Sequence, residues 1–334
     1  MSEEPNLKKN IAIIMGGFSS EYEISIKSGQ VVYETLSEIY NCYRIHIFRD
    51  RWVYVDEKGI EYLIDKNDFT VEVEDQEIIF DCVFNAIHGS PGEDGYMQAY
   101  LNLVEIPQTS CAMYQAALTF NKRDCLTVLK KHGILTAKSY FLNKGDSIDK
   151  HAIIQTVGLP CFVKANRAGS SFGITKVYKE EDIDNALEVA FKEDNEVLIE
   201  SFLDGTEVSV GVISYKDEIK VLPLTEIVSN NDFFDYKAKY LGESQEITPA
   251  RIDKEMADKV NAAAEKVYRV LDLKGFSRSE YIFKDGEPHL LEVNTVPGLT
   301  KASILPQQAE KAGISLVDLF TNAIEEALKQ KRNN

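Results

Sequence analysis

Ile11 to Met15 is a short apolar run closed by Gly16-Gly17, and beyond it Ser20 and Glu23 stand in capping-box spacing ahead of a helical pattern that continues through Ile39. This predicts a strand, a turn and a helix. Further strands are predicted at Tyr43 to Phe48 and Ile78 to Ile87, the second entering the loop His88-Gly89-Ser90-Pro91-Gly92-Glu93-Asp94-Gly95. Such alternation predicts a parallel sheet. From Asn121 the pattern is helical again, over Lys122 to His132 with Gly133 as its stop, and an apolar strand follows at Cys161 to Ala165. Strands at Val197 to Ser201 and Val208 to Ser214 straddle Asp204-Gly205, and a long polar loop runs from Ser229 to Ser244. Met256, Val260, Ala263, Val267 and Leu271 mark the core-packing face of a helix. Two last strands, Arg278 to Phe283 and the segment from His289, are joined by a turn at Asp285-Gly286, and the second breaks at Pro297-Gly298. No internal repeat is present, and a new domain is expected near residue 110.

At 334 residues, 44% hydrophobic and 27% charged, the chain has room for two or three domains and a sizeable core. No apolar run approaches the roughly 18 residues of a membrane span, and the first residues lack the basic and apolar regions of a signal peptide, so a cytoplasmic protein is expected. The five cysteines, Cys42, Cys82, Cys111, Cys125 and Cys161, form no C-x-x-C pair and read as reduced and structural. Acidic residues outnumber basic ones 54 to 37, which opposes nucleic acid or an anionic membrane as a partner. Any phosphate must be held locally, by lysines in apolar or glycine-rich settings.

Two places offer such chemistry. Glu292 and Asn294 alternate along one strand and therefore share a face, and the turn at Asp285-Gly286 can bring Glu280 beside them. Three oxygen ligands suit a hard cation, best Mg²⁺, which takes one or two carboxylates together with substrate phosphates. Glu292 alone reads equally as part of a solvated hairpin face. Lys164 lies in an apolar strand and is followed by Asn166-Arg167-Ala168-Gly169-Ser170-Ser171-Phe172-Gly173, small residues whose backbone N–H groups can approach phosphate. It is not a Walker loop, and taken alone it is a flexible hairpin turn.

Taken together, Gly16-Gly17-x-Ser19-x-Glu21, His88-Gly89 with Gly92-Glu93-Asp94-Gly95, Lys122, the Lys164 to Gly173 loop, Tyr236-x-x-Lys239-Tyr240, Arg278-x-Glu280 and Glu292-x-Asn294-x-x-Pro297-Gly298 resemble the D-alanine-D-alanine ligase family. The resemblance runs in order from about residue 11 to residue 328. It implies an α/β and α+β fold. A parallel-sheet α/β domain at 1–109 contributes to the amino-acid site, and a two-part ATP-grasp fold follows, with a central part at 110–203 and a C-terminal part at 204–334.

Carried over by motif, Lys122, Lys164 and Lys239 contact phosphate, Glu200, Ser201 and Leu203 line the adenine, and Glu207 accepts hydrogen bonds from the ribose. By spacing alone this last stretch would be an ordinary hairpin. Glu280, Glu292 and Asn294 match the ligands of Mg²⁺, with Mn²⁺ as its substitute; many relatives carry Asp where this chain has Glu280, and the extra methylene could alter the ion's geometry. Glu21 matches the residue that fixes the first substrate's ammonium group, with Ser170 and Tyr240 as its partners, although a helix N-terminal acid is commonly there for the dipole. His88 matches a site residue, and a lone loop histidine is otherwise commonly just exposed. Ser303 and the backbone at Ile304 match the grip on the second substrate's carboxylate, and Arg278 with the Gly298 N–H matches the oxyanion donors.

The implied reaction is ATP-dependent phosphorylation of one D-alanine followed by attack of the amine of a second, supplying D-alanyl-D-alanine for peptidoglycan. Ser229 to Ser244 is expected to be the lid that closes over the phosphates. A ligase forming D-alanyl-D-lactate or D-alanyl-D-serine, a catalytically silent nucleotide-binding protein and a homodimeric assembly are left open. Lactate is disfavoured because depsipeptide-forming relatives typically carry His where this chain has Tyr240.

Overall fold

The computed structural model describes residues 8–169, 172–229 and 244–331. Strand β1 (Asn10–Gly16) lies parallel to β2 (Asn41–Ile47) on one side and to β7 (Cys82–Asn85) on the other. Its residues alternate between two cores. Ile11, Ile13 and Met15 face helix α1 (Tyr22–Leu36), whereas Ala12 and Ile14 pack with Met97 and Leu101 of α2 (Tyr96–Leu103). Burial on both faces is why this strand reads as an unbroken apolar run rather than an alternating one.

The predicted parallel sheet is one half of a larger mixed sheet. Strands β3 (Trp52–Val55), β4 (Glu61–Asp65), β5 (Thr70–Val73) and β6 (Gln76–Ile78) extend it from β2 as an antiparallel ribbon, in the order β6-β5-β4-β3-β2-β1-β7. The single strand expected over Ile78 to Ile87 is thereby divided. β6 closes one edge of the sheet and β7 the other, so the chain must cross between them, leaving Ile79 exposed. The start of α1 also differs from the capping box expected at Ser20. Glu21 occupies the cap position but its side chain does not cap the helix, and Ser19 Oγ accepts the Glu21 N–H. At its other end α1 stops at Leu36, short of Ile39, because Ser37 turns back and donates to Tyr33 O.

Helices α3 (Met113–Phe120) and α4 (Lys122–Lys131) lead to a four-stranded sheet of order β10-β9-β11-β8, built from β8 (Ser139–Asn143), β9 (Cys161–Ala165), β10 (Ile174–Val177) and β11 (Glu196–Ser201). Cys161, Val163, Val197 and Ile199 point into a core formed with α5 (Lys150–Val157) and α6 (Ile183–Glu193). The opposite face carries Phe162, Lys164 and Glu200.

The third sheet is antiparallel, in the order β15-β14-β12-β16-β17 with β13 beside β12. Its strands are β12 (Glu207–Tyr215), β13 (Glu218–Val221), β14 (Thr225–Ser229), β15 (Ser244–Ile247), β16 (Phe276–Lys284) and β17 (Glu287–Asn294). Helix α7 (Lys254–Val270) covers one face through Val260, Ala264, Val267 and Tyr268; α8 (Ile304–Lys311) and α9 (Leu316–Lys331) complete the chain. β11 and β12 are not a hairpin, since each pairs only within its own sheet. Residues 202–206 cross from one sheet to the other, and Gly205 rests so close to the Phe283 carbonyl that a Cβ would collide with it. Ser229 and Ser244 form the last register pair of β14 and β15, and most of the polar loop expected between them, 230–243, lies outside the described residues.

Among the described residues all five cysteines are free, and four are buried. Burial pushes the thiols up, Cys161 to about 11, so these are inert core side chains. No helix of the described residues is long and apolar enough to cross a membrane.

Candidate active site

Two cavities adjoin where the second and third sheets meet α1 and the loops of the first sheet's unit. The larger, about 430 Å³, lies between the second and third sheets and is lined by Phe162, Lys164, Glu200, Leu203, Glu207 and Glu280 among others. The smaller, about 80 Å³, is lined by Glu21, His88, Glu93, Arg278, Asn294 and Gly298 among others. Lys122, Ala168, Gly169 and Glu292 belong to both. A molecule extending from one cavity to the other must pass Lys122 and Glu292.

The strand period accounts for the walls of the larger cavity. With Cys161 and Val163 in the core, Phe162 and Lys164 must face the opposite way, into the cleft. Lys164 Nζ donates to Glu200 Oε2 at 2.7 Å. Burial opposes the lysine's charge, but the carboxylates of Glu200, Glu292 and Glu207 overcome it and hold Lys164 above its ordinary value. The other oxygen of Glu200 is buried without a partner among the described residues, a costly state that a ligand N–H would relieve. Ser201 Oγ accepts the Lys138 N–H, and Ser201 and Leu203 line the cleft beyond it.

Hairpin β16–β17 brings the predicted oxygen ligands together. Glu280 stands directly opposite Glu292, and Arg278 opposite Asn294. The turn is the tight one expected, with Asp285 at φ 53 and Gly286 at φ 76. A register shift follows Glu280, where Tyr281 pairs with Leu290 and leaves Leu291 as an extra residue. Like charges opposed across a ladder repel. Two cations offset this pair: Arg278 bonds Glu280, and Lys122 Nζ lies 3.2 Å from Glu292 Oε2. Asn294 Nδ2 donates to Glu292 Oε1 at 3.2 Å. Among the described residues no three His, Cys, Asp or Glu side chains converge as a ready-made metal cage. Two facing carboxylates and one amide oxygen are a donor set that suits Mg²⁺ when a ligand's phosphates supply further oxygens.

Lys122 is the first residue of α4, and the helix start is tied to the glycine-rich loop by Asn166. The Asn166 carbonyl accepts the Lys122 N–H, its side-chain oxygen accepts the Arg123 N–H, and Asn121 Oδ1 accepts the Asp124 N–H. The first three amides of the helix are thus satisfied, two of them by the residue that opens the loop. Lys122 Nζ closes the connection by donating to Ala168 O at 2.7 Å. On the far side Glu21 is buried and packs so closely on Gly169 that a Cβ there would overlap its carboxylate.

The surroundings of His88 are not those of an exposed loop histidine, the alternative to a site residue. It is 4% exposed; one ring nitrogen lies 2.9 Å from Ser28 Oγ and the other 2.8 Å from the Val296 carbonyl. With the Nδ1 hydrogen donated to Val296 O, Nε2 accepts from Ser28, and Ser28 Oγ in turn accepts the Leu299 N–H. Burial holds the imidazole below its ordinary value, against the opposing pull of Glu21, and keeps it neutral for this chain of bonds. Glu93 is buried beside it, its oxygens accepting the Gly89 N–H at 2.7 Å and the Val296 N–H at 3.2 Å.

Ser303 sits outside both cavities but against the back of Gly298, at the N-terminus of α8, where its hydroxyl bonds Thr300. Ile304 is buried against Ile227. Ser170, Lys239 and Tyr240 lie outside the described residues. Ser28, Asn166 and the clamping role of Glu93 escape a sequence reading. Signals exist: Ser25 and Ser28 interrupt the buried stripe of α1 with hydroxyls, and Glu93 is an acid set between glycines after an apolar strand.

Two family models match the chain, one described as D-ala D-ala ligase N-terminus over residues 10–111 and one as D-ala D-ala ligase C-terminus over residues 128–325. A D-alanine--D-alanine ligase of Flavobacterium johnsoniae is 66% identical over 321 residues, 96% of this chain and 99% of the relative. Among solved structures, the VanG D-Ala:D-Ser ligase from Enterococcus faecalis shares 32% identity at a TM-score of 0.82, across 95% of this chain and 99% of that one. A D-alanine--D-alanine ligase from Bacillus anthracis complexed with ATP shares 29% identity at a TM-score of 0.78, across 98% and 99%. With both halves matched in chain order around one cleft between two sheets, the chain has the ATP-grasp fold and belongs to the D-alanine-D-alanine ligase family.

Proposed function

We propose that this chain joins two D-alanine molecules using ATP, with the nucleotide in the larger cavity, the amino acids in the smaller one and the γ-phosphate where the two share Lys122 and Glu292. The observation that carries this reading is that continuity of a roomy cleft with a narrow, polar chamber. Glu200, Ser201, Leu203 and Glu207 hold the nucleoside end, and Lys122 and Lys164, with Lys239 by motif, neutralise the phosphates. Glu280, Glu292 and Asn294 hold Mg²⁺, which supplies charge neutralisation at the phosphates. Glu21 takes the first ammonium group, with Ser170 and Tyr240 assigned beside it by motif. Ser303 and the Ile304 N–H, which stand at the positive end of α8 just behind the Gly298 wall of the smaller chamber, are assigned by motif to the second carboxylate.

The carboxylate of the first D-alanine attacks the γ-phosphorus, ADP leaves, and an acyl phosphate forms. The neutral amine of the second D-alanine then attacks the acyl carbon, and Arg278 and the Gly298 N–H stabilise the oxyanion before phosphate departs. The product, D-alanyl-D-alanine, supplies peptidoglycan synthesis. The family resemblance supports a cytoplasmic place for this reaction, where ATP is at hand.

One structural neighbour is a D-Ala:D-Ser ligase, so D-serine is the second reading for the acceptor. The test measures ADP release and product identity with D- and L-amino acids and D-lactate. D-alanyl-D-alanine is the expected main product at neutral pH; equal formation of D-alanyl-D-lactate would overturn the acceptor assignment.

A further inference from the structure

Three side chains from the first sheet's unit hold the backbone of the loop that carries Gly298. Glu93 accepts the Val296 N–H, His88 donates to the Val296 carbonyl, and Ser28 accepts the Leu299 N–H. Val296 is held at both its N–H and its C=O, and the Leu299 N–H is held just past Gly298, so the proposed oxyanion donor sits between two fixed points. Sequence distance sharpens this. The partners are 203, 208 and 271 residues apart, and the loop's direction is therefore set by a part of the molecule that contributes nothing to the nucleotide cleft's walls. The grip is also linked internally, because Ser28 bonds both His88 and Leu299 while Glu93 ties Val296 to Gly89, the residue after His88.

We propose that Glu93 and Ser28 are positioning residues for the second half of the reaction: they aim the Gly298 N–H at the acyl carbon's oxygen and so commit the acyl phosphate to the amine rather than to water. This inference rests on the ligase reading. Each step balances. In ligation the nitrogen of the neutral amine bonds the acyl carbon, the carbon–oxygen bond to phosphate breaks, and the amine loses one proton, to the departing phosphate or solvent; in the side reaction water takes the amine's place and D-alanine is regenerated with phosphate.

The two routes differ in one ratio, ADP released per dipeptide formed. Loss of folded protein lowers both amounts together and leaves the ratio at the wild-type value, whereas a misaimed oxyanion donor slows ligation and lets hydrolysis compete. Glu93→Gln removes one of two acceptor oxygens; Ser28→Ala removes the hydroxyl between His88 and Leu299. For each we expect kcat for dipeptide to fall roughly tenfold to a hundredfold, in line with small misplacements of reacting groups, with the ATP KM within about twofold of wild type and the ADP-to-dipeptide ratio raised. Glu93→Asp, which restores both oxygens on a shorter arm, should recover part of the coupling. An unchanged ratio in both folded variants overturns the inference. Should Glu93→Gln lack a cooperative melting transition, Ser28→Ala alone decides. Absence of any dipeptide from the wild-type protein would instead overturn the ligase reading itself.

Discussion

Glu292 joins three groups of the site, touching Lys122 and Asn294 and standing opposite Glu280. Glu292→Gln keeps the shape, removes a ligand charge and relieves the like-charge opposition. Turnover should fall by at least about tenfold at limiting Mg²⁺ while folding is retained; a Mg²⁺ titration matching wild type would remove Glu292 from the metal site. Glu93 gives a pH dependence at the same scale. Burial, reinforced by the charge of Glu21, pushes its carboxyl from 4.5 up to about 8. The folded state therefore keeps a proton that the unfolded chain releases. That contribution to stability is complete below the unfolded value and is lost as pH rises to about 8. Melting temperatures of wild type and Glu93→Gln, compared from pH 4.5 to 8.5, should show this fall in wild type only, and parallel curves would refute it.

Among elements, hairpin β16–β17 carries Arg278, Glu280, Glu292 and Asn294, and its register depends on a two-residue turn at the far end. Gly286 has φ 76 with open space around it. Gly286→Ala should therefore cost only the left-handed backbone strain, about 1 kcal/mol, and leave turnover unchanged, because the turn lies six residues from Glu292. Denaturant unfolding together with kinetics tests this; a large loss of activity at full stability would mean that the turn sets the site's geometry. Helices α4 and α8 contribute through their ends rather than their faces, one presenting Lys122 and the other backing Gly298 with Ser303.

At the scale of the whole molecule, α2 and α3 pack together yet leave Tyr96 at 72%, Leu103 at 81% and Tyr114 at 64% exposure. Exposed aromatic and aliphatic side chains on two helices that pack together are material for an association surface. We therefore propose a homodimer through this face. Sedimentation should give twice the chain's 37.7 kDa, and Leu103→Glu with Tyr114→Glu should give the single-chain mass; a wild-type monomer at micromolar concentration would sink the proposal.

Local rules were enough for the parts of this protein whose causes lie close in sequence. Cys161 to Ala165 alternates core and cleft residues, so the direction of Lys164 follows from period two alone. The Asp285-Gly286 turn and the strand alternation of Glu292 and Asn294 likewise suffice to predict a carboxylate-bearing hairpin. A short, polar strand such as β6 carries no such signal, since neighbouring strands rather than its own apolar content stabilise it. Only the tertiary structure decided that β11 and β12 join different sheets, that His88 is a buried neutral clamp, and that Asn166 caps the helix of Lys122. Each of these depends on a hydrogen-bonding partner brought close by folding, and a donor's identity in the sequence does not say which distant acceptor will meet it.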